Sequence, residues 1–236
     1  MVDSVNYLEL GRKAMQSNNM EEAMNFFNKA LPKADKPQQV EIYKSLGEIY
    51  GKSAQMKQAI IEYTKGLKVA AELKDISVQV KMLQAMGVLC QETKNYPEAI
   101  KCNEKCIEKI KELKSDVATE AEVTRSLGTL YSLTKNHFKA LSTLQRALQL
   151  QRDLGSQKGE GLALYELALE QADSENVKEA RVNLEAAQKI FTKLGMETEM
   201  KKVVRELKAI ESELEEEDWI DKKTLKQKKK IEKFLE

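Results

Sequence analysis

The 236-residue sequence contains one histidine, one tryptophan and three cysteines, and its 39 Lys+Arg and 38 Asp+Glu leave a net charge of +1. Each scarcity removes a class of function. A near-neutral chain has no long-range attraction to nucleic acid or to an anionic membrane, so any electrostatic recognition has to be local. Cys90, Cys102 and Cys106 are an odd set without a CxxC pair. That argues against a disulfide framework and against a zinc site, and predicts reduced thiols. No apolar run reaches the length of a membrane span, and MVDSVNYLELGRKAMQSNN lacks a basic segment followed by an apolar one. The expectation is therefore neither a spanning helix nor a signal peptide, and a cytoplasmic location.

The same scarcities weigh against catalysis. His137 is the only histidine, and it falls where Met56 and Tyr96 stand in related segments, which reads as packing before it reads as a general base. No serine or cysteine nucleophile has a histidine in a matching frame. Cys102 and Cys106 lie one helical turn apart, but Cys90 and Cys106 occupy places filled by Tyr50 and Ala147 elsewhere in the chain, and buried free cysteine behaves as a small hydrophobe. The chain is expected to be no enzyme and to need no cofactor and no metal.

What the sequence does contain is a 15-residue frame written five times. LGRKAMQSNNMEEAM starts at Leu10, LGEIYGKSAQMKQAI at Leu46, MGVLCQETKNYPEAI at Met86, LGTLYSLTKNHFKAL at Leu127 and LALEQADSENVKEAR at Leu167, at spacings of 36, 40, 41 and 40 residues. Such periods belong to stacked helical arrays. Within the second copy Tyr43, Leu46, Ile49 and Tyr50 form one apolar stripe, and Met56, Ala59, Ile60, Tyr63, Leu67 and Ala70 another, with steps of three and four. The polar stretch from Gly51 to Gln55 separates them, so each copy reads as a helical hairpin. Gly11, Gly47, Gly87, Gly128 and Ala168 recur at one place; Ala23, Ala59, Ala99, Ala140 and Ala180 recur at another. A glycine inside a helix costs roughly 1 kcal/mol relative to alanine. Its recurrence at one register therefore signals two backbones in close approach.

The hairpins are predicted at about 4–34, 39–74, 77–114, 117–154 and 159–194, with Pro97 tolerated in the first turn of a helix. Met200, Val203, Leu207, Ile210 and Leu214 continue the periodicity, predicting a capping helix at 197–217 for the last exposed face of the array. A charged tail, 218–236, follows. Its acidic ELEEEDWID and basic KKTLKQKKK blocks carry Trp219, Ile220 and Phe234, which make it a charged extension of the cap, a docking segment for a partner or for the chain's own groove, or a basic patch.

The pattern of Tyr43, Leu46, Gly47, Tyr50, Ala59, Tyr63 and Leu67, repeated as Leu127, Gly128, Tyr131, Ala140, Leu144, Ala147 and Leu148, resembles the tetratricopeptide repeat (TPR) family over about residues 4–194. The longer period is similar to that of kinesin light chains and spindle-orientation adaptors. Departures are the missing repeat-closing prolines, Asn103 and Cys106 in the third copy, and Gln171 in the fifth. The resemblance implies an all-α, right-handed α-α superhelix, a TPR solenoid of five hairpins plus a cap. It also implies a non-enzymatic adaptor that binds a protein or peptide in its concave groove and helps assemble a larger complex, whether cargo-carrying, cytoskeletal or motor-linked, or another multiprotein assembly. The alternatives are a peptide-gated regulator whose superhelix changes shape, and a self-associating structural subunit using Leu162, Tyr165 and Leu169.

By the same resemblance the groove is lined by one stripe of each first helix. It contains Val5, Leu8, Arg12 and Met15; Glu41, Lys44, Glu48 and Lys52; Lys81, Gln84, Val88 and Gln91; Glu122, Arg125, Thr129 and Ser132; and Leu162, Tyr165, Leu169 and Ala172. One cation per hairpin, Arg12, Lys44, Lys81 and Arg125, suits an extended acidic partner, unless neighbouring Glu41, Glu48, Glu92 and Glu122 neutralise them. The places at which TPR co-chaperones grip an acidic chaperone tail hold Leu8, Arg12, Ser45, Lys81 and Ala85. Only Lys81 fits, so a heat-shock chaperone is not the expected partner.

Overall fold

Short acceptor side chains mark where helices begin. In the computed structural model Asp35, Asp75, Asp116 and Ser156 stand just before helices and accept from the backbone N–H groups of Gln38 (2.9 Å), Val78 (3.0 Å), Thr119 (3.0 Å) and Gly159 (3.2 Å). Asp35 completes a capping box, because Gln38 Oε1 accepts from the Asp35 N–H at 3.1 Å. Each such cap contributes about 1 kcal/mol.

The structure describes residues 4–113, 116–212, 214–215 and 223, and among these every regular element is helical. The helices are α1 (Ser4–Gln16), α2 (Met20–Ala30), α3 (Lys36–Lys52), α4 (Met56–Glu72), α5 (Ile76–Glu92) and α6 (Tyr96–Leu113), then α7 (Val117–Leu133), α8 (His137–Asp153), α9 (Gln157–Asp173) and α10 (Val177–Lys193). A 3₁₀ turn, Leu31–Lys33, follows α2. A last helix, α11, runs over 197–212, and 214–215 are also helical. The second hairpin starts at Lys36, ahead of the expected 39, because Asp35 caps it and Pro37 falls in its first turn, where a missing N–H is harmless. Residues 218–236, with Trp219, Ile220 and Phe234, lie outside the described residues apart from Lys223, which is helical.

The chain divides into two compact units, Met1–Thr134 and Lys135–Glu236. In the first, three turns reverse the chain inside hairpins with a left-handed residue, Asn18 (φ 57°), Ala54 (58°) and Lys94 (59°). The carbonyls these turns leave behind are used: the Gln55 N–H donates to Tyr50 O (2.9 Å) and the Asn95 N–H to Cys90 O (2.8 Å), the bond that closes a helix before a reversed residue. The recurring glycines do bring helices together. A Cβ on Gly47 would stand 2.8 Å from the Tyr63 ring and one on Gly11 2.6 Å from that of Phe27. The recurring alanines, Ala23, Ala59, Ala99, Ala140 and Ala180, are fully buried.

First helices lie side by side in this unit. Arg12 of α1 reaches Glu41 of α3, Gly51 of α3 approaches Leu89 of α5, and Ser126 of α7 meets Gln91 of α5. The core lies between this layer and α2, α4 and α6, with Phe27, Ile42, Ile49, Met82, Ile110 and Leu130 fully enclosed. Each such side chain contributes roughly 1.5–3 kcal/mol by leaving water.

In the second unit α8 to α11 share one core built on Leu144, Leu164, Leu167, Leu184, Phe191, Val203 and Ile210. Val203 and Ile210 come from α11, whose inner face covers α9 and α10 as an array's terminal helix must.

A single contact recurs where one hairpin meets the next. The opening residue of each second helix shares a core cluster with the equivalent position of the following first helix: Met20 with Ile49, Met56 with Leu89, Tyr96 with Leu130, and Val177 with Ile210. At one junction the pair is His137 and Glu170.

Candidate functional site

The first-helix layer of the first unit is where side chains leave the core and reach solvent. Val88 is 55% exposed and Val5 57%. Lys81 is exposed and Gln84 half-buried on the same helix, α5. Among the described residues Lys81 has no hydrogen-bond or ion-pair partner. Leu8, from the same expected stripe, is 4% exposed and belongs to the core, because α1 turns that position toward Phe27 and Ile42.

The charges at one end of this layer are already matched. Arg12 grips Glu41 with two prongs, Nε to Oε1 at 2.5 Å and an Nη to Oε2 at 2.6 Å, and this hydrogen bond raises the guanidinium pKa further. Lys44 stands 3.8 Å from Glu48, one turn along α3. Both pairs are about half exposed, so each contributes at most about 1 kcal/mol to stability. They nonetheless halve the positive character expected of the stripe.

The other end is polar and mostly uncharged. Buried Asn103 donates from Nδ2 to Ser126 Oγ (3.1 Å), which donates to Gln91 Oε1 (3.5 Å). Asn103 stands where Tyr63 packs in the previous hairpin. An amide is tolerated there because Gly87 makes room for it and Ser126 satisfies it. Thr129 Oγ1 donates to the Arg125 carbonyl at 3.2 Å, and Arg125 and Thr129 are half-buried. At the co-chaperone positions Leu8 and Ser45 are buried, at 4% and 7% exposure, and only Arg12 and Lys81 are exposed.

In the second unit Leu162 and Tyr165 pack against the shared core, partly buried. Burial raises the Tyr165 phenol pKa, with Glu206 adding to the shift and Arg205 opposing it. These two side chains are partly covered by their own unit, unlike Val88.

Several thiols and phenols are buried and have raised pKa values. Burial pushes the thiols of Cys102 and Cys106 up to about 12; Cys106 Sγ donates to Val80 O at 3.6 Å. Thiols so placed stay protonated and poorly nucleophilic. Tyr63 is pushed to about 12 by burial and by Glu48. Tyr131 is raised to about 12 by burial and by its hydrogen bond to Glu104 Oε1 (2.6 Å). Among the described residues no cluster of His, Cys, Asp and Glu could hold a metal ion, and no helix is long and apolar enough to cross a membrane.

His137 does something the sequence did not reveal. Its Nδ1 lies 2.6 Å from Glu170 Oε1; the imidazole is 40% exposed and the carboxylate 1%. Glu170 Oε2 and Ser174 Oγ are buried without a partner. The available signal was register, since Glu170 occupies the place of Ile49, Leu89 and Leu130.

Residues 79–153 match the tetratricopeptide repeat family model. Over that segment the chain is similar to tetratricopeptide repeats. Solved TPR structures superpose on most of it. A signal transduction ATPase with numerous domains carrying a tetratricopeptide repeat sensor, from Pyrococcus horikoshii, matches with TM-score 0.70 and 21% identity over 85% of this chain and 31% of that one. Nearly identical TPR-like repeats of a putative kinesin light chain from Podosopora anserina match at 0.63 and 18%, over 80% and 94%. YrrB, a TPR protein with an unusual peptide-binding site, matches at 0.61 and 19%, over 80% and 86%. At these identities the likeness establishes the all-α TPR solenoid fold alone. No curated protein matches by sequence.

Proposed function

We propose that the chain is a non-enzymatic, cytoplasmic adaptor that holds a peptide or helix of a partner protein against the first-helix layer of its first unit and so helps assemble a larger complex. The observation that carries this reading is the stretch of α5 where Lys81, Gln84 and Val88 reach solvent while residues on the opposite side of the helix, Met82, Leu89 and Cys90, are buried. An exposed valine beside a lone cation and amide side chains is a surface for an extended segment with one apolar anchor and one acidic group.

The pairs Arg12–Glu41 and Lys44–Glu48 narrow the partner. A uniformly acidic peptide has little to gain from cations that already hold carboxylates, whereas Lys81 is available. Heat-shock chaperone tails and nucleic acid fit this surface poorly. Self-association through Leu162 and Tyr165 is disfavoured by their packing against their own core.

Affinity capture with quantitative mass spectrometry tests the reading. Reversing Lys44, Lys81 and Arg125 to Glu abolishes capture of the main partner while helical circular dichroism is retained. Capture of the same proteins in the same amounts by a folded triple variant removes the assignment.

A further inference from the structure

Helix α11 presents to solvent a face that the preceding first helix buries. Val204, Leu207 and Lys208 stand forty residues after Leu164, Leu167 and Ala168 of α9. The α9 residues are buried in a core shared with α10, whereas Val204 and Leu207 are half-buried and Lys208 is exposed. Together with Glu211 and with Gln188 and Lys189 of α10 they line a cavity of about 420 Å³. A second cavity, of about 440 Å³, opens between Arg181, Glu211, Leu214 and Glu215. Val204, Leu207 and Leu214 therefore form an apolar ridge that water still reaches. We propose that a second copy of this chain covers this ridge, with its own α11 packed antiparallel to the first about a two-fold axis.

The charges along the ridge select that occupant. Lys189 and Lys208 flank Val204 and Leu207, and Glu211 and Glu215 flank Leu214. Among the described residues none of these four charges has an ion-pair partner. One end of the ridge is basic and the other acidic, so reversing the ridge makes it complementary to itself, and reversal is what a two-fold axis does. With the axis between Ala209 and Ile210, Lys208 of each copy comes beside Glu211 of the other, and Val204 beside Leu214.

Helix α10 argues against a further hairpin in the same place. Ile60 and Leu67 of α4, and Leu141 and Leu148 of α8, pack into clusters with the second helix that follows. The equivalent residues of α10 are Arg181 and Gln188. Another hairpin would press apolar side chains onto both. A helix held mainly by α11 leaves them at the rim, where Arg181 keeps its partner Glu185 at 3.0 Å. A dimer carries two copies of the first-unit face, which makes the proposed adaptor bivalent; the association itself does not rest on that reading and is measured without a partner.

Sedimentation equilibrium of the full chain over a concentration series tests the proposal. The expected result is a reversible monomer–dimer equilibrium that stops at two copies. Lys208→Glu sets like charges against Glu211 twice per dimer and is expected to weaken association at least about tenfold; Glu211→Lys alone does the same from the other side. Combining Lys208→Glu with Glu211→Lys restores the opposite signs and is expected to bring the affinity back to within about threefold of the parent. Both residues are exposed, and helical circular dichroism confirms that each variant is folded. Three results overturn the proposal: a parent chain that is monomeric at every concentration, which leaves the ridge to the chain's own tail or to a partner's helix; association whose mass keeps growing, which a two-fold axis forbids; or a dimer that the folded single variants do not weaken or the double variant does not restore.

Discussion

The junction between α6 and α7 and the junction between α8 and α9 occupy the same place in the repeat and are built from opposite chemistry. In the first unit Tyr96 packs in one cluster with Leu130, which is fully buried. In the second, His137 and Glu170 meet there, and one carboxylate oxygen finds no partner. The backbone accepts both, since α7 and α9 are regular helices of 17 residues. The repeat therefore specifies the geometry of a contact without specifying its polarity. The cost differs: an apolar pair gains from leaving water, whereas a buried carboxylate must recover its desolvation from one hydrogen-bonded partner.

Five variants break or sharpen this contrast, with urea unfolding as the measurement. Leu130→Ala removes the apolar junction's central side chain and is expected to cost about 2–5 kcal/mol, the range for a fully buried leucine. Replacing the polar pair with its apolar counterpart, His137→Met with Glu170→Leu, is expected to stabilise the protein by about 1–4 kcal/mol, while His137→Ala alone destabilises it by leaving the carboxylate unpaired. Gly47→Ala tests whether close approach also belongs to the geometry. Its new Cβ meets the Tyr63 ring, and the expected cost is about 1–3 kcal/mol. The smallest effect is at a turn: Ala54 holds φ 58°, and Ala54→Gly is expected to stabilise by about 1 kcal/mol, the strain an L-residue carries there. A destabilised double variant at His137 and Glu170 would mean that the polar pair is held by more than its one visible bond.

The helical frame was legible because it rests on short-range rules. The apolar period acts within a few residues, and the recurrent glycine and alanine repeat it at one register in every copy. The candidate face was legible in part. Lys81 and Val88 are exposed and Gln84 is half-buried on α5, but Leu8 is drawn into the core, and the neutralisation of Arg12 joins residues 29 apart in sequence. The His137 and Glu170 pair spans 33 residues, and neither side chain is unusual until the two are set against Leu89 and Leu130. What the periodicity does not encode is which side chains on adjacent hairpins neutralise each other, because those contacts depend on rotamers across a helix interface.

The most direct test of the adaptor reading is site-specific photocrosslinking from two positions of the first unit, Val88 on the first-helix layer and Ile61, which is 47% exposed on α4. A photoreactive residue at position 88 is predicted to form a covalent adduct with the captured partner, while the same residue at position 61 forms none. Adducts from position 61 with none from position 88 would contradict the account.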